Sequence, residues 1–337
     1  MKAIVCQKPY ELLAIRREAP VRQADDVLIR VRRVGLCGTD YHIFSGDQPY
    51  LSYPRVMGHE ISGEVIEAPA QSPFRPGQAV TVNPYLPCGH CIACRRAKPN
   101  CCVNIAVLGV HTDGGMCDMI AVPQRAVIDV DGLTLDQAAM VEFLSIGAHA
   151  VARVGVTSGD RILVVGAGPI GVATALFARL DGAQVTLMDT RQGRLDFARS
   201  SLGFADVLRA DGDDVPQALA ARTDGEYFDA VFDATGNIHA MRRGLDYVAH
   251  GGTYALVSIV NGDLVFADPE FHKRETTLLA CRNALSSDFE RVIDTIRKGD
   301  IPIDALHTHS IHMDDMPTQL PQLIADAEHV LKAITIV

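Results

Sequence analysis

The pattern of apolar and polar positions changes character along the chain. Between Gly147 and about Leu285, short continuous apolar runs alternate with amphipathic stretches. "RILVV" is apolar and β-branched throughout, as a strand buried on both faces of a parallel sheet would be, and "IGVATALFARL" has helical spacing. "QVTLM", "ADVLRA", "YFDAVFDATG" and "GGTYALVSIV" read as further strands, and the charge sits in the segments between them, such as "GRLDFARSSLGF". The alternation predicts an α/β, doubly wound domain. The opening residues, "MKAIVCQKPYELLAI", read instead as short strands around a Lys-Pro turn.

The junction of the first strand and helix carries Gly166, Gly168 and Gly171 in the spacing G-x-G-x-x-G. Alone the match is weak, but here a strand precedes it, a helix follows and a second strand ends at Asp189. Gly166 permits the tight turn, Gly168 lets the backbone approach a pyrophosphate, and Gly171 lets helix pack on strand. Pro169 and Ile170 open the helix, where unpaired N–H groups attract the anion and a proline costs little. Asp189 lies close to the ~20 residues beyond the glycines expected of a ribose-binding carboxylate, and its charge disfavours a 2′-phosphate. NAD is therefore expected over NADP. Arg194 would lie along the adenine, or it and Arg191 are solvated helix residues.

Composition narrows the remaining classes. The chain has 337 residues, a length that suggests two domains; 48% are hydrophobic, and the formal net charge is -10. An acidic balance disfavours nucleic acid and anionic membrane as partners. The longest apolar run, Ile162 to Ala178, is shorter than the ~20 residues of a membrane span and holds three glycines and a proline. With no apolar leader pattern at the N-terminus, a cytoplasmic location is expected, and nine cysteines in a reducing compartment point to metal or catalysis over disulfides.

Five of those cysteines fall within "CGHCIACRRAKPNCC". Cys88, Cys91 and Cys94 have two-residue spacers that let thiolates turn inward on one ion, and either Cys101 or Cys102 can supply the fourth sulfur on distance alone. The gap after Cys94 is too long for a ferredoxin-type cluster, so a closed structural zinc site is expected. Closed sites leave chemistry elsewhere. A second set is Cys37 in "VGLCGTDYHIF" with His59 and Glu60 in "YPRVMGHEISGEV". Each taken alone has a bland reading, a core cysteine and a surface His-Glu pair. Together they form a mixed site with an open corner, to which Glu142 in "AAMVEFLSIGAHA" adds an oxygen or holds a water.

The order CGTD, GHE, C-x-x-C-x-x-C-x7-C, GAGPIG resembles the zinc-dependent medium-chain alcohol dehydrogenase superfamily over essentially the full length. The resemblance implies a GroES-like β-rich catalytic domain of residues 1–146 and 286–337, and a Rossmann NAD-binding domain of residues 147–285. It picks Cys102 as the fourth structural ligand, which leaves Cys101 as an extra thiol. It implies two zinc ions per subunit, one structural and one held by Cys37, His59 and Glu60, with Glu142 direct or water-mediated. Glu142 stands where the liver-type enzymes carry Cys, so the chain resembles the polyol, threonine and sugar-acid branch. "YPRVMGHE", "KPNCC", "AVLGVHTDGG" and "CRNALSSDF" are most similar to bacterial L-gulonate or L-galactonate 5-dehydrogenases, although Cys117 and Met119 replace the commoner acidic-aromatic pair.

The expected chemistry is oxidation of a secondary alcohol, with hydride transfer to NAD. Zinc lowers the pKa of bound water from about 15.7 to about 7 and would acidify an alcohol in the same way. The resemblance of "CGTDYH" gives Thr39 and His42 a proton relay to solvent through the nicotinamide ribose; otherwise His42 is a capped loop histidine. Arg282 can fork onto a carboxylate and Asn283 can bond hydroxyls, as a sugar acid requires, unless Arg282 serves in an interdomain ion pair. His111 and Asp113 face hydroxyls or shape a turn, which Gly114-Gly115 favours. Phe143 and Leu144 line a pocket or the core. The alternatives are a polyol or L-threonine dehydrogenase, or a zinc- and NAD-binding redox sensor using Cys101, Cys117 and Cys281. Relatives imply a homodimer or homotetramer, with "GGTYALVSIV" and "GDLVFADPEF" as the place to look for the interface.

Overall fold

The computed structural model describes residues 1–48, 51–212 and 214–337. The chain divides into two compact units, one of residues 1–143, 284–299 and 303–337, the other of residues 144–283 and 300–302. The first and last boundaries expected from sequence fall two or three residues later than these. The short excursion at 300–302 has no counterpart in the sequence pattern.

The first unit is built on a mainly antiparallel sheet. Its central strand, Asp26–Leu36, pairs with Glu60–Glu67, Met119–Pro123 and the C-terminal strand Lys332–Ile336. The inward residues of the central strand, Val27, Ile29, Val31 and Val34, are at most 1% exposed. Burying each stabilises the fold by ~1.5–3 kcal/mol relative to leaving it in water. The N-terminal reading as two strands holds: Lys2–Lys8 and Glu11–Arg16 form a hairpin, and Arg55–Val56 adds a third strand. Because the C-terminal strand returns beside the central one, residues nearly 300 positions apart share one sheet, and Ala333 stands opposite Leu36.

The second unit carries six parallel strands in the order Val207–Arg209, Gln184–Asp189, Arg161–Val165, Phe228–Asp233, Val248–Leu256, Thr277–Ala280. Numbered along the chain this is 3-2-1-4-5-6, the doubly wound order, with its switch point between the first and fourth strands. Leu163, Val231, Val248 and Tyr254 form part of its core. The last strand is the sheet edge, and Leu278 on it is 38% exposed. Among the described residues no helix is long and apolar enough to cross a membrane.

The glycine loop follows the first strand of this sheet. Gly166 has φ +101, and Pro169 is the first residue of the helix Pro169–Leu180. A Cβ at Gly171 would lie 1.7 Å from the Gly166 carbonyl oxygen, so helix and strand can meet only if residue 171 has no side chain. Gly171→Ala is predicted to destabilise the fold by about 1–3 kcal/mol and to abolish NADH binding, checked by thermal melting and NADH fluorescence titration; a variant that melts and binds as the parent does would contradict the packing account.

Candidate active site and metal centres

The cysteine lobe forms one cluster. The sulfur atoms of Cys88, Cys91, Cys94 and Cys102 all lie within 4.8 Å of one another. Cys91 Sγ is 3.5 Å from Cys94 Sγ and 3.8 Å from Cys102 Sγ. A tetrahedron of sulfurs around zinc, with Zn–S of about 2.3 Å, has edges of about 3.8 Å, so the spacing suits that ion. Backbone N–H groups also aim at the sulfurs. Cys88 N–H donates to Cys102 Sγ at 3.2 Å, and the N–H groups of Cys94 and Val103 lower the Cys91 thiol to about 6. The geometry resolves the choice left open by distance alone, because Cys102 is buried in the cluster while Cys101 is exposed outside it. All nine cysteines are free thiols.

The second set also converges. One ligand atom each of Cys37, His59 and Glu60 lies within 4.8 Å of the others, on two segments that the sheet brings together. Cys37 caps the helix Gly38–Ser45. His59 follows Gly58, whose φ of +91 turns the chain, and Cβ atoms at Gly109 and Gly114 would fall 2.8 and 2.2 Å from the Gly58 carbonyl oxygen. Three glycines thus let "GVHTDGG" cross beneath the His59 turn. Asp113 takes part in the same turn, accepting from Val56 N–H at 3.2 Å and pairing with Arg17 at 2.7 Å, and His111 Nδ1 accepts from Val107 N–H. Both are occupied in shaping the turn.

The segments are tied by residues that the sequence reading passed over. Asp40 is fully buried and accepts from Cys37 N–H at 3.0 Å and from Gly58 N–H at 3.1 Å, so one carboxylate clamps both ligand-bearing turns. Its position three after a helix-capping residue, within "CGTD", was a readable sign of a capping box. Lys332 is also fully buried, with Nζ 2.7 Å from each oxygen of Glu60. Its signal was a single charge in "VLKAITIV". Removing one member of such a pair costs ~3–5 kcal/mol, because it leaves the other charge buried alone. Gly35 lies under Glu60; a Cβ there would sit 2.0 Å from Glu60 Oε2. Tyr85 donates its hydroxyl to Glu142, a pairing across 57 residues that no local pattern announces.

Glu142 therefore stands beside the cluster rather than among the three converging ligands. Burial pushes its carboxyl up to about 7; the His59 charge opposes this, and Glu60 adds to it. Burial works against a charge on His59, yet its hydrogen bond with Cys37 and the charges of Asp40, Cys37 and Glu142 hold its proton affinity well above the ordinary imidazole value. His59 Nδ1 is buried without a hydrogen-bond partner. The groups around His59 thus favour a positive charge there. A thiol, an imidazole and carboxylates are donors suited to zinc, so the residues fit that ion. Thr39 is half-buried and His42 exposed on the helix that Cys37 caps. Phe143 and Leu144 are core residues, each 0% exposed.

The second unit holds a cleft of about 430 Å³ lined by Gly166, Gly168, Asp189, Arg194, Asn237 and Arg243, among others. Asp189 closes the second strand of its sheet and accepts from Ala167 N–H at 2.7 Å and Arg191 N–H at 2.8 Å, which fixes the carboxylate at the mouth of the glycine loop. Above Gly168 the nearest atom to a Cβ would be the Arg194 guanidinium at 3.2 Å, so Arg194 lies over the glycines. Arg282 and Asn283 follow the edge strand; Arg282 is exposed, and Asn283 has φ +53.

Residues 23–132 match the alcohol dehydrogenase GroES-like domain, and residues 169–298 match the zinc-binding dehydrogenase family. The chain is 42% identical to the L-galactonate-5-dehydrogenase of Escherichia coli (strain K12) over 310 residues, 92% of this chain and 91% of that protein. The chain belongs to the zinc-binding alcohol dehydrogenase family. It is 30% identical to an L-threonine 3-dehydrogenase of Bacillus licheniformis, over 94% of this chain and 93% of that one. The crystal structure of a short chain alcohol dehydrogenase (rspB) from E. coli CFT073 complexed with cofactor NADH superposes with a TM-score of 0.94 at 28% identity, covering 100% of this chain and 99% of that one.

Within this zinc-binding family member, Cys102→Ser is predicted to remove one zinc per chain and lower the melting temperature, whereas Cys101→Ser retains full zinc content. Elemental analysis with thermal melting checks both; equal zinc loss in the two variants would contradict the assignment.

Proposed function

We propose that this dehydrogenase oxidises a secondary alcohol of a sugar acid, an aldonate such as L-gulonate or L-galactonate at C5, and delivers the hydride to NAD. The observation that carries the reading is the convergence of Cys37, His59 and Glu60, with an unpaired His59 Nδ1, in a chain 42% identical to an L-galactonate-5-dehydrogenase. Bound zinc supplies a Lewis acid that lowers the pKa of a hydroxyl. The protein's own residues do the rest. Cys37, His59 and Glu60 hold the ion, with Glu142 beside them as a direct or water-mediated ligand. Thr39 would take up the hydroxyl proton, and His42, exposed on the same helix, would release it to solvent. Cys88, Cys91, Cys94 and Cys102 hold a second, structural zinc.

In the other unit, the Gly166–Gly171 loop and the helix beginning Pro169-Ile170 take the pyrophosphate. Asp189 takes the ribose hydroxyls and repels a 2′-phosphate, which favours NAD, and Arg194 lies along the adenosine. Arg282 forks onto the substrate carboxylate and Asn283 bonds a hydroxyl. The need for reduced thiolates in both metal sites fits the cytoplasm. The threonine dehydrogenase reading is weaker, because similarity to relatives of that name is lower, at 30–33% identity. A redox sensor has no need for a metal site with an open corner.

Steady-state kinetics with aldonates, sorbitol and threonine, each with NAD and NADP, test this reading. Aldonate with NAD is expected to give the highest kcat/KM. Arg282→Ala should raise the aldonate KM by about 10–100-fold and leave polyol KM unchanged, and His42→Ala should lose one ionisation from the pH–rate profile. Preferred turnover of sorbitol or threonine, or no turnover at all, would sink the sugar-acid reading.

The strand Val248–Leu256, which holds the first residues of "GGTYALVSIV", is paired on both sides, whereas the edge strand Thr277–Ala280 offers Leu278 and one open side to a second copy, and we propose a homodimer or homotetramer built by extending the six-stranded sheet there. Leu278→Lys is expected to shift sedimentation toward the monomer; an unchanged assembly would place the interface elsewhere.

A further inference from the structure

Lys332 is the only Lys or Arg in the fully buried set among the described residues, and its surroundings account for every donor it has. Nζ donates to Glu60 Oε1 and Oε2 at 2.7 Å each and to the Leu36 carbonyl at 3.0 Å, and it lies 4.2 Å from the centre of the Phe143 ring. Leu36 precedes Cys37, Glu60 follows His59, and Phe143 follows Glu142. One ammonium group therefore touches each of the three chain segments that carry the metal-site residues. Glu60 is fixed between this ammonium and the bare Cα of Gly35, where a Cβ would stand 2.0 Å from Oε2.

We propose that Lys332 is a built-in counter-cation: it assembles the Cys37, His59, Glu60 and Glu142 segments ahead of the metal and limits how tightly the metal is then held. The inference rests on the reading of Cys37, His59 and Glu60 as zinc ligands. With the site empty of metal, Lys332 is the direct partner of the Glu60 charge. With metal present, the same carboxylate lies between two cations, which compete for it and repel each other. The lysine thus favours the folded metal-free lobe and opposes metal retention, two effects of opposite sign on one residue. A lysine serving only as a packing element would lower fold stability and metal affinity together.

The test is zinc titration against a competing chelator on the full chain, with thermal melting of metal-free and zinc-loaded protein. Wild type should bind two zinc ions. Lys332→Met should lower the metal-free melting temperature, enlarge the rise that zinc produces, and hold the second zinc about tenfold more tightly. Lys332→Arg should return zinc affinity toward wild type. If Lys332→Met does not fold without metal, the Glu60→Gln/Lys332→Met pair should, since it leaves no lone buried charge, and in the Glu60→Gln background the lysine replacement should change zinc affinity far less. Zinc affinity that is unchanged or weaker in folded Lys332→Met overturns the proposal. A wild type that binds a single zinc at the cysteine lobe overturns the metal reading itself, and this inference with it.

Discussion

A shortage of positive charge in a buried pocket governs the first unit. Glu60 and Glu142 bring carboxyl groups into the protein interior beside the half-buried Cys37, and Asp40 stands behind them, fully buried. Charges of one sign cannot be gathered this way without a cation, because each would otherwise give up its proton-free state or pull the fold apart. The structure answers with Lys332 on one side and with a His59 that holds its proton well above the usual range on the other. The sheet, turns and glycines around the pocket hold these side chains together against their mutual repulsion.

That constraint explains why the first unit is assembled from distant stretches of chain. Asp40 clamps the turns of Cys37 and Gly58, and the C-terminal strand carries Lys332 back to Glu60 across 272 positions. The glycines at 35, 109 and 114 are places where backbone must come close to a carboxylate or to other backbone, and a Cβ at any of them would meet such an atom within 3.0 Å. The cysteine lobe solves the same problem locally: four sulfurs and the N–H groups aimed at them lie within one short loop, so the site closes on itself. An open site needs ligands from several directions, and a closed one does not. In the second unit the glycine loop depends on sterics, above all on the absence of a side chain at Gly171.

What was legible in the sequence follows from this difference. Five of the six parallel strands, the glycine loop, Asp189 and the cysteine spacing are local patterns, and the structure gives each its place. Cys37, His59 and Glu60 were legible only because two short motifs could be read together. Lys332, Tyr85 and Gly35 escaped because their meaning lies in a partner far along the chain: Tyr85 finds Glu142, and Gly35 makes room for Glu60. The choice between Cys101 and Cys102 is a matter of which side chain faces inward.

The central claim is that two sets of side chains hold two ions in different chemical surroundings. X-ray diffraction at the zinc absorption edge on crystals of the full-length protein tests it directly. The account predicts two anomalous peaks per chain, one within bonding distance of the sulfurs of Cys88, Cys91, Cys94 and Cys102, the other bonded to Cys37 and His59 with carboxylate oxygen completing the set. A single peak in the cysteine lobe, with Cys37, His59 and Glu60 too far apart to share an ion in zinc-replete crystals, would contradict it.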